Sequence, residues 1–279
     1  MWRGWGQFFA PAMRLVDDPY GLAFGKGKVL AALFRLLPFA ARALFRRKPL
    51  FGLAGWFQLR TRIVDDCLRD FVQAGGRQVV ILGAGYDARA YRLADLLRET
   101  TVFEVDHPAT QSSKRKLLKK LGADTSRVRF LTWNFESQPV ANLPGALAAL
   151  AHDPTRPTLT IWEGVTMYLT EKANSDSVDA IRAFSAPQSR LLLNYVDRVR
   201  IEKPFTALRL ARWAGEPPCF GWDPAELPAW LRERGFAVLS DYADRALAAT
   251  YFPPALAKDF PDRGGHVALC APSAPTVLR

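Results

Sequence analysis

Gly83, Gly85 and Ala88 follow the apolar run VVIL and fit the pattern G-x-G-x-x-(G/A). Small residues at the end of a buried strand let a ligand approach the backbone and the first amide groups of the next helix. Asp106 lies about 20 residues further on, where an acidic side chain that binds ribose hydroxyls is expected. The spacing predicts a site for a nucleotide-like ligand. A nicotinamide dinucleotide and S-adenosylmethionine both meet this description.

The elements that must position these residues alternate along the chain. Short apolar runs predict buried strands, and helical spacing of apolar residues predicts helices between them. The predicted strands are 78–83, 101–106, 128–133, 158–164 and 190–196, and the predicted helices are 56–75, 87–98, 108–121 and 174–184. A terminal pair of strands, 235–243 and 265–273, is expected to flank a long proline-rich loop. This order is typical of βαβ units and predicts a doubly wound, mainly parallel sheet.

Length and charge indicate one large α/β domain with an added cap. The chain has 279 residues and a formal net charge of +11. Its basic excess is concentrated in residues 1–50, where 28–50 is apolar but interrupted by Arg35, Pro38 and Arg42. We therefore expect amphipathic helices rather than a membrane span. Two interpretations remain open for this segment, a cap over an active site and a helix lying on an anionic membrane surface.

The cysteine and histidine content argues against disulfides and metal. Cys67, Cys219 and Cys270 are far apart, and the three histidines lack the ligand spacing of zinc sites. No signal peptide is expected at the N-terminus, because residues 1–12 lack a continuous apolar region. These features favour a cytoplasmic protein without a metal centre.

Three stretches resemble one family of enzymes. LGAGYDARAYRL, FEVDHP followed by KRKLL, and WEGVTMYLT are similar to motifs of the leucine carboxyl methyltransferase family, whose members are S-adenosylmethionine-dependent O-methyltransferases. The resemblance runs in order from about Arg60 to Val196. It implies a Rossmann-like class I methyltransferase fold, with a seven-stranded sheet that has an antiparallel last strand. Together with the amphipathic N-terminal pattern, this gives an N-terminal helical cap, which we place at residues 1–75, and a cofactor-binding core at residues 76–279.

The resemblance further implies the cofactor, S-adenosylmethionine, and the residues that bind it. Arg60 matches the arginine that pairs with the methionyl carboxylate, and Arg62 is an alternative because the motif LRTRIVDD holds two arginines. Glu163 matches a glutamate near the charged methionine portion. The remaining matches are the glycine loop with Gly83 and Gly85, Asp106 at the ribose, and Asn134 with Phe135 beside the adenine. Asn134 departs from the family, which usually has Asp there, so the position keeps an acceptor oxygen but loses a charge.

The reaction class places few demands on acid–base residues. A carboxylate acceptor is ionised at pH 7 and needs no general base, whereas a phenol would need one. The sequence singles out no base, which favours a carboxylate of a small molecule or peptide as acceptor. Tyr168 and Tyr195 are candidates for the substrate side, although tyrosines at such positions are as often core residues.

Two other functions remain as alternatives at this point. The glycine pattern also permits an NAD(P)-dependent oxidoreductase. The basic N-terminal segment and Asn134 permit a non-catalytic protein that binds a membrane surface. No nucleic-acid partner is expected, and the sequence leaves the oligomeric state open.

Overall fold

A computed structural model describes residues 9, 11–24, 48–135, 137–202 and 218–273. Among these residues, seven strands form one sheet in the order β3-β2-β1-β4-β5-β7-β6. The strands are β1 (Gln78–Leu82), β2 (Thr101–Asp106), β3 (Val128–Thr132), β4 (Thr158–Trp162), β5 (Arg190–Val196), β6 (Phe236–Ala243) and β7 (Gly265–Pro272). Strands β1 to β5 are mutually parallel, and β7 is antiparallel to both of its neighbours. The predicted doubly wound sheet with an antiparallel last strand is confirmed.

Burial explains why the central strands are mostly apolar. Every residue of β1 and β4 is buried, because helices cover both faces of the sheet at its centre. Strand β3 lies at the sheet edge, and only its first residue, Val128, is buried. One core cluster contains Ile81, Ile161 and Leu192, and a second, on the opposite face, contains Leu82, Trp162 and Leu193.

The helices surround the sheet. They are α1 (Pro19–Ala23), α2 (Lys48–Gln73), α3 (Arg89–Arg92), α4 (Pro108–Lys120), α5 (Leu143–Ala148), α6 (Glu171–Ala183), α7 (Arg198–Glu202), α8 (Leu227–Glu233), α9 (Asp244–Tyr251) and α10 (Pro254–Ala257). None of the helices among the described residues combines the length and the apolar character of a membrane span. Helix α2 packs into the same core cluster as the sheet through Leu59, Val64 and Leu68.

Two predicted elements differ from the structure. The helix expected at residues 87–98 is a single turn, α3, followed by irregular turns, because Arg89 is fully buried and bound to acidic side chains instead of continuing an amphipathic helix. The loop expected between the last two strands contains α9 and α10. Its prolines are compatible with helix because Pro254 occupies a first-turn position, where a missing N–H costs nothing.

The basic segment at residues 28–50 lies almost entirely outside the described residues. The cap and the membrane-surface interpretation therefore both stay predictions, and so does the domain boundary at residue 75.

Candidate functional site

The glycine loop begins at the carboxyl end of β1 and has the backbone that its sequence requires. Gly83 and Gly85 have φ angles of +68° and +45°, a region that side chains with a Cβ rarely adopt. The amides of Gly83 and Ala84 both donate to the carbonyl of Val105, at 2.9 and 3.0 Å. A Cβ on Gly83 would lie 2.4 Å from Cγ2 of Val165. The loop is thus fixed against β2 and the segment after β4, and its bare backbone leaves a cleft.

The cleft has a volume of about 260 Å³ and lies where β1 and β4 end. Two aromatic rings, Phe57 and Tyr86, form part of its wall, and Tyr86 is 38% exposed. The other lining residues are Arg60, Ile81, Gly83, Ala84, Gly85, Asp87, Glu163 and Gly164. Crevices at the carboxyl ends of strands are the usual ligand sites of open parallel sheets.

Arg60 and Glu163 meet on one side of the cleft. Nε of Arg60 donates to Oε1 of Glu163 at 2.7 Å, although 103 residues separate them in sequence. Nη1 of Arg60 donates to Oδ1 of Asn194 at 3.3 Å, and the same oxygen accepts from the amide of Gly164 at 3.2 Å. The structure therefore holds both charged side chains in a fixed orientation at the cleft wall.

Arg89 ties this pair to the protein interior. Its side chain is fully buried and donates to Glu163 at 2.5 Å, to Asp65 at 2.8 Å and to Asp87. Burial works to lower the pKa of Arg89, but Asp87, Glu163 and Asp65 outweigh it and hold the pKa well above its ordinary value. Arg92 also binds Asp65, at 2.5 Å. Among the described residues, the network contains three guanidinium groups and three carboxylates, whose charges balance.

Asp106 has an unused acceptor. Its Oδ1 accepts from the amide of His107 at 2.8 Å, but its buried Oδ2 has no hydrogen-bond partner among the described residues. Burial raises the pKa of this carboxyl, and the backbone amides of His107 and Gly85 act in the opposite direction. Burying a carboxylate oxygen without a hydrogen-bond partner costs free energy. A ligand whose hydroxyl groups donate to this oxygen would remove that cost.

The chemistry of these groups is compatible with S-adenosylmethionine. The bare backbone at Gly83 leaves room for a ligand, Asp106 has an acceptor oxygen that ribose hydroxyls could use, and Arg60 with Glu163 has the two charges that could pair with a zwitterionic amino-acid group. Metal chemistry gains no support within the described part of the chain, where no cluster of histidine, cysteine or acidic residues has a metal-binding arrangement.

Comparison with known proteins identifies the family. The sequence profile of leucine carboxyl methyltransferases matches residues 2–182, which is more than half of the chain. The chain belongs to the leucine carboxyl methyltransferase family. Its glycine loop, Asp106 and Glu163 all lie within the matched region.

Proteins named as methyltransferases are similar to this chain over much of its sequence. A predicted S-adenosyl-L-methionine-dependent methyltransferase of Frankia alni is 33% identical over 90% of this chain and 84% of that protein. Another, of Streptomyces coelicolor, is 39% identical over 58% of this chain, and the match spans only about half of that relative, 51%. At the level of the family, the predicted methyltransferase class and its cofactor are confirmed. The oxidoreductase alternative gains no support.

Solved structures agree with the fold. A methyltransferase structure from Thermobifida fusca superposes with a TM-score of 0.56 and 19% identity, over 80% of this chain and 84% of that one. Magnesium protoporphyrin IX methyltransferase from Synechocystis gives a TM-score of 0.50 and 14% identity, over 89% of this chain and 100% of that one. The class I methyltransferase fold expected for the family is confirmed.

Three further predicted residues differ in their positions relative to the site. Asn134 and Phe135 lie near Asp106, because the amide of Trp133 donates to the carbonyl of Asp106 at 2.8 Å. Arg62 is not among the residues lining the cleft. Its Nε binds Asp66 at 2.9 Å on the same helix, and its side chain is 41% exposed. Of the two arginines in the family motif, the structure brings only Arg60 to the cleft.

The two tyrosines predicted for the substrate side have different surroundings. Tyr168 lies in the turn after β4 and is 46% exposed. Tyr195 is fully buried, donates its hydroxyl to Asp241 and stacks on His266 with ring centroids 4.7 Å apart. Burial and the bond to Asp241 raise the pKa of Tyr195. Its aromatic ring and hydroxyl are therefore used in packing between β5, β6 and β7, and the structure does not bring it to the cleft.

Five residues around Arg60 and Glu163 were not predicted as site residues: Asp65, Asp87, Arg89, Arg92 and Asn194. Asp87, Arg89 and Arg92 lie in the glycine motif LGAGYDARAYRL, in which only the small residues carry a local signal. Asn194 interrupts the apolar run LLLNYV, and a polar residue inside a buried strand is a usable signal. Their role could not be read from spacing, because their partners are Glu163, 74 residues from Arg89, and Arg60, 134 residues from Asn194.

Restoring the family carboxylate at position 134 gives a testable prediction. We expect Asn134→Asp to tighten S-adenosylmethionine binding by up to about tenfold, because a charged acceptor forms a stronger hydrogen bond with an amino group. Calorimetric titration would measure the change, with Asn134→Ala as the control that removes the acceptor. An unchanged dissociation constant in both variants would show that residue 134 does not contact the ligand.

Proposed function

We propose that the protein transfers a methyl group from S-adenosylmethionine to an oxygen atom of its substrate. The observation that carries this proposal is the meeting of a bare glycine loop and the Arg60–Glu163 pair at one cleft, with an unpartnered Asp106 oxygen at the adjacent strand end. Membership of the leucine carboxyl methyltransferase family supports it independently.

Each residue has a distinct task in this proposal. Asp106 accepts hydrogen bonds from the ribose hydroxyls through Oδ2. Arg60 and Glu163 bind the carboxylate and the ammonium group of the methionine portion, and Asn194 keeps the Arg60 fork oriented. Asn134 and Phe135 flank the adenine. Arg89 binds Glu163 from the protein interior. Glu163 and its partner Arg60 are therefore already held in place and need little rearrangement when the cofactor binds.

The chemistry requires positioning more than proton transfer. When bound, the cofactor supplies an electrophilic methyl group whose bond to sulfur breaks, with its electron pair passing to sulfur, as an acceptor oxygen forms the new C–O bond. The protein contributes by holding the acceptor in line and excluding water. No side chain has to gain or lose a proton if the acceptor is already an anion.

We further propose that the acceptor is a carboxylate of a small molecule or peptide. Two carboxylates line the cleft among the described residues, Asp87 and Glu163, and both accept hydrogen bonds from buried guanidinium groups. They are thereby poorly suited to remove a proton from a neutral hydroxyl group. An acceptor that is ionised at pH 7 needs no such base.

Ligand-induced stabilisation tests the cofactor. We expect S-adenosylmethionine and S-adenosylhomocysteine to raise the melting temperature, and NAD and NADP to leave it unchanged, because a ligand stabilises the folded state only when its concentration approaches or exceeds its dissociation constant. Stabilisation by NAD or NADP alone would contradict the proposal. Methyl transfer to carboxylate and phenol acceptors, followed with radiolabelled cofactor, would then test the acceptor class.

A further inference from the structure

A second concave surface lies between α4 and the edge strand β3, two strands away from β1. This groove has a volume of about 650 Å³. Three exposed cations, Arg115, Lys116 and Lys119, line it, and among the described residues no carboxylate does. Its other lining residues are Pro108, Gln111, Ser112, Gly122, Ala123, Thr125, Phe130 and Thr132. A concave surface with charges of one sign attracts ligands of the opposite sign.

The wall formed by β3 is a free strand edge. Within the described part of the chain, β3 pairs only with β2. The carbonyl of Arg127 accepts from Val102 at 3.1 Å, and the amide of Trp133 donates to Asp106 at 2.8 Å. Since backbone groups of a parallel strand alternate in direction, the odd-numbered residues of this segment point toward β2. The N–H and C=O groups of Phe130 and Thr132 therefore point away from β2, at the sheet edge that borders the groove.

We propose that this groove binds an extended acidic peptide of a partner protein, which adds to the sheet as a strand beside β3. Strand addition obtains its affinity from main-chain hydrogen bonds and its specificity from alternate side chains. The outward backbone groups of Phe130 and Thr132 would form the main-chain hydrogen bonds, and the cations of α4 would select the acidic side chains. The proposal concerns a surface apart from the cleft and does not rest on the proposed methyl transfer.

The spacing of the cations defines the sequence that fits. Arg115 and Lys119 are one helical turn apart, a rise of about 6 Å. Alternate residues of a strand are separated by about 6.6 Å, so carboxylates at every second position match this spacing. The guanidinium of Arg115 lies 4.9 Å from the centroid of the Phe130 ring, which keeps it at the groove wall. The favoured segment is thus extended, with acidic residues alternating with β-branched ones.

The binding experiment uses the full chain and a defined probe. The probe is a dye-labelled octapeptide in which glutamate alternates with threonine or valine, followed by fluorescence anisotropy at low salt. We expect saturable binding that the double substitution Lys116→Glu, Lys119→Glu weakens at least about tenfold, because like charges then face each other. The double substitution Arg232→Glu, Lys258→Glu, which reverses two exposed charges that do not line the groove, is the matched control and should change the affinity less than about twofold. Circular dichroism confirms that each variant is folded.

Two altered peptides separate strand addition from charge attraction alone. A peptide of the same composition with its glutamates in one block, and one with N-methyl groups on alternate amides, should each bind at least about tenfold more weakly. Equal binding of the N-methylated peptide would overturn the proposal, and so would no binding of the probe at low salt. Tighter binding of a single-stranded RNA, lost in the double variant, would assign the groove to nucleic acid instead.

Discussion

Replacing Arg89 with methionine is expected to lower the free energy of unfolding by about 3 to 5 kcal/mol, the range for removing one partner of a buried ion pair. Arg89 is fully buried and binds Asp65, Asp87 and Glu163. Methionine preserves much of the volume but leaves these carboxylates with too little compensating charge. Denaturant unfolding followed by circular dichroism measures the loss.

A matched substitution tests whether burial is the cause. Arg62→Met removes the same side chain from an exposed pair with Asp66 on the same helix, and it should cost less than about 1 kcal/mol. If Arg89→Met fails to fold, Arg89→Lys provides a second measurement, because it keeps the charge and loses the forked geometry. Equal losses for Arg89→Met and Arg62→Met would contradict the network as described.

Replacing Asp106 with alanine should weaken S-adenosylmethionine binding by about 1.5 to 3 kcal/mol, the range for losing hydrogen bonds to a charged group. The unpartnered Oδ2 is the acceptor that the ribose hydroxyls would use. Calorimetry with S-adenosylhomocysteine avoids turnover and reports the dissociation constant directly. Wild-type affinity in Asp106→Ala would remove this residue from the site.

The same carboxylate gives the binding a pH dependence. Only ionised Asp106 accepts hydrogen bonds through both oxygens, and burial raises its pKa above the ordinary value. Affinity should therefore be full above that raised pKa and decline as the pH falls through it. Asp106→Asn, which has no titrating group there, should bind more weakly and lose this part of the pH dependence.

The positions of the site residues along the strands were predictable because they depend on local pattern. Apolar runs of five to seven residues fixed where β1, β2 and β4 lie, and in a parallel sheet the residues after them share one edge. Gly83 and Asp106 were predictable for this reason, whereas Glu163 was predicted from the resemblance to the family. A left-handed backbone strongly favours glycine, so the two glycines of the loop predicted its conformation.

The partners of these residues were not predictable, because they come from distant parts of the chain. Asp65 meets Arg89 from α2, and Asn194 meets Arg60 from β5. Nothing in the sequence around Arg60 and Arg62 distinguishes them either. The helix places one toward the cleft and the other beside Asp66, and only the packing of α2 on the sheet decides which is which.

The sequence by itself determined the succession of the strands along the chain, the glycine loop, the carboxylate at the end of β2 and the family. These depend on residue type and short spacing. The tertiary structure decided which charges meet, that Tyr195 packs in the core, and that β3 is a free edge beside three cations within the described part of the chain. Those properties arise when distant segments pack, and the free energy of a buried charge depends on neighbours that no local pattern specifies.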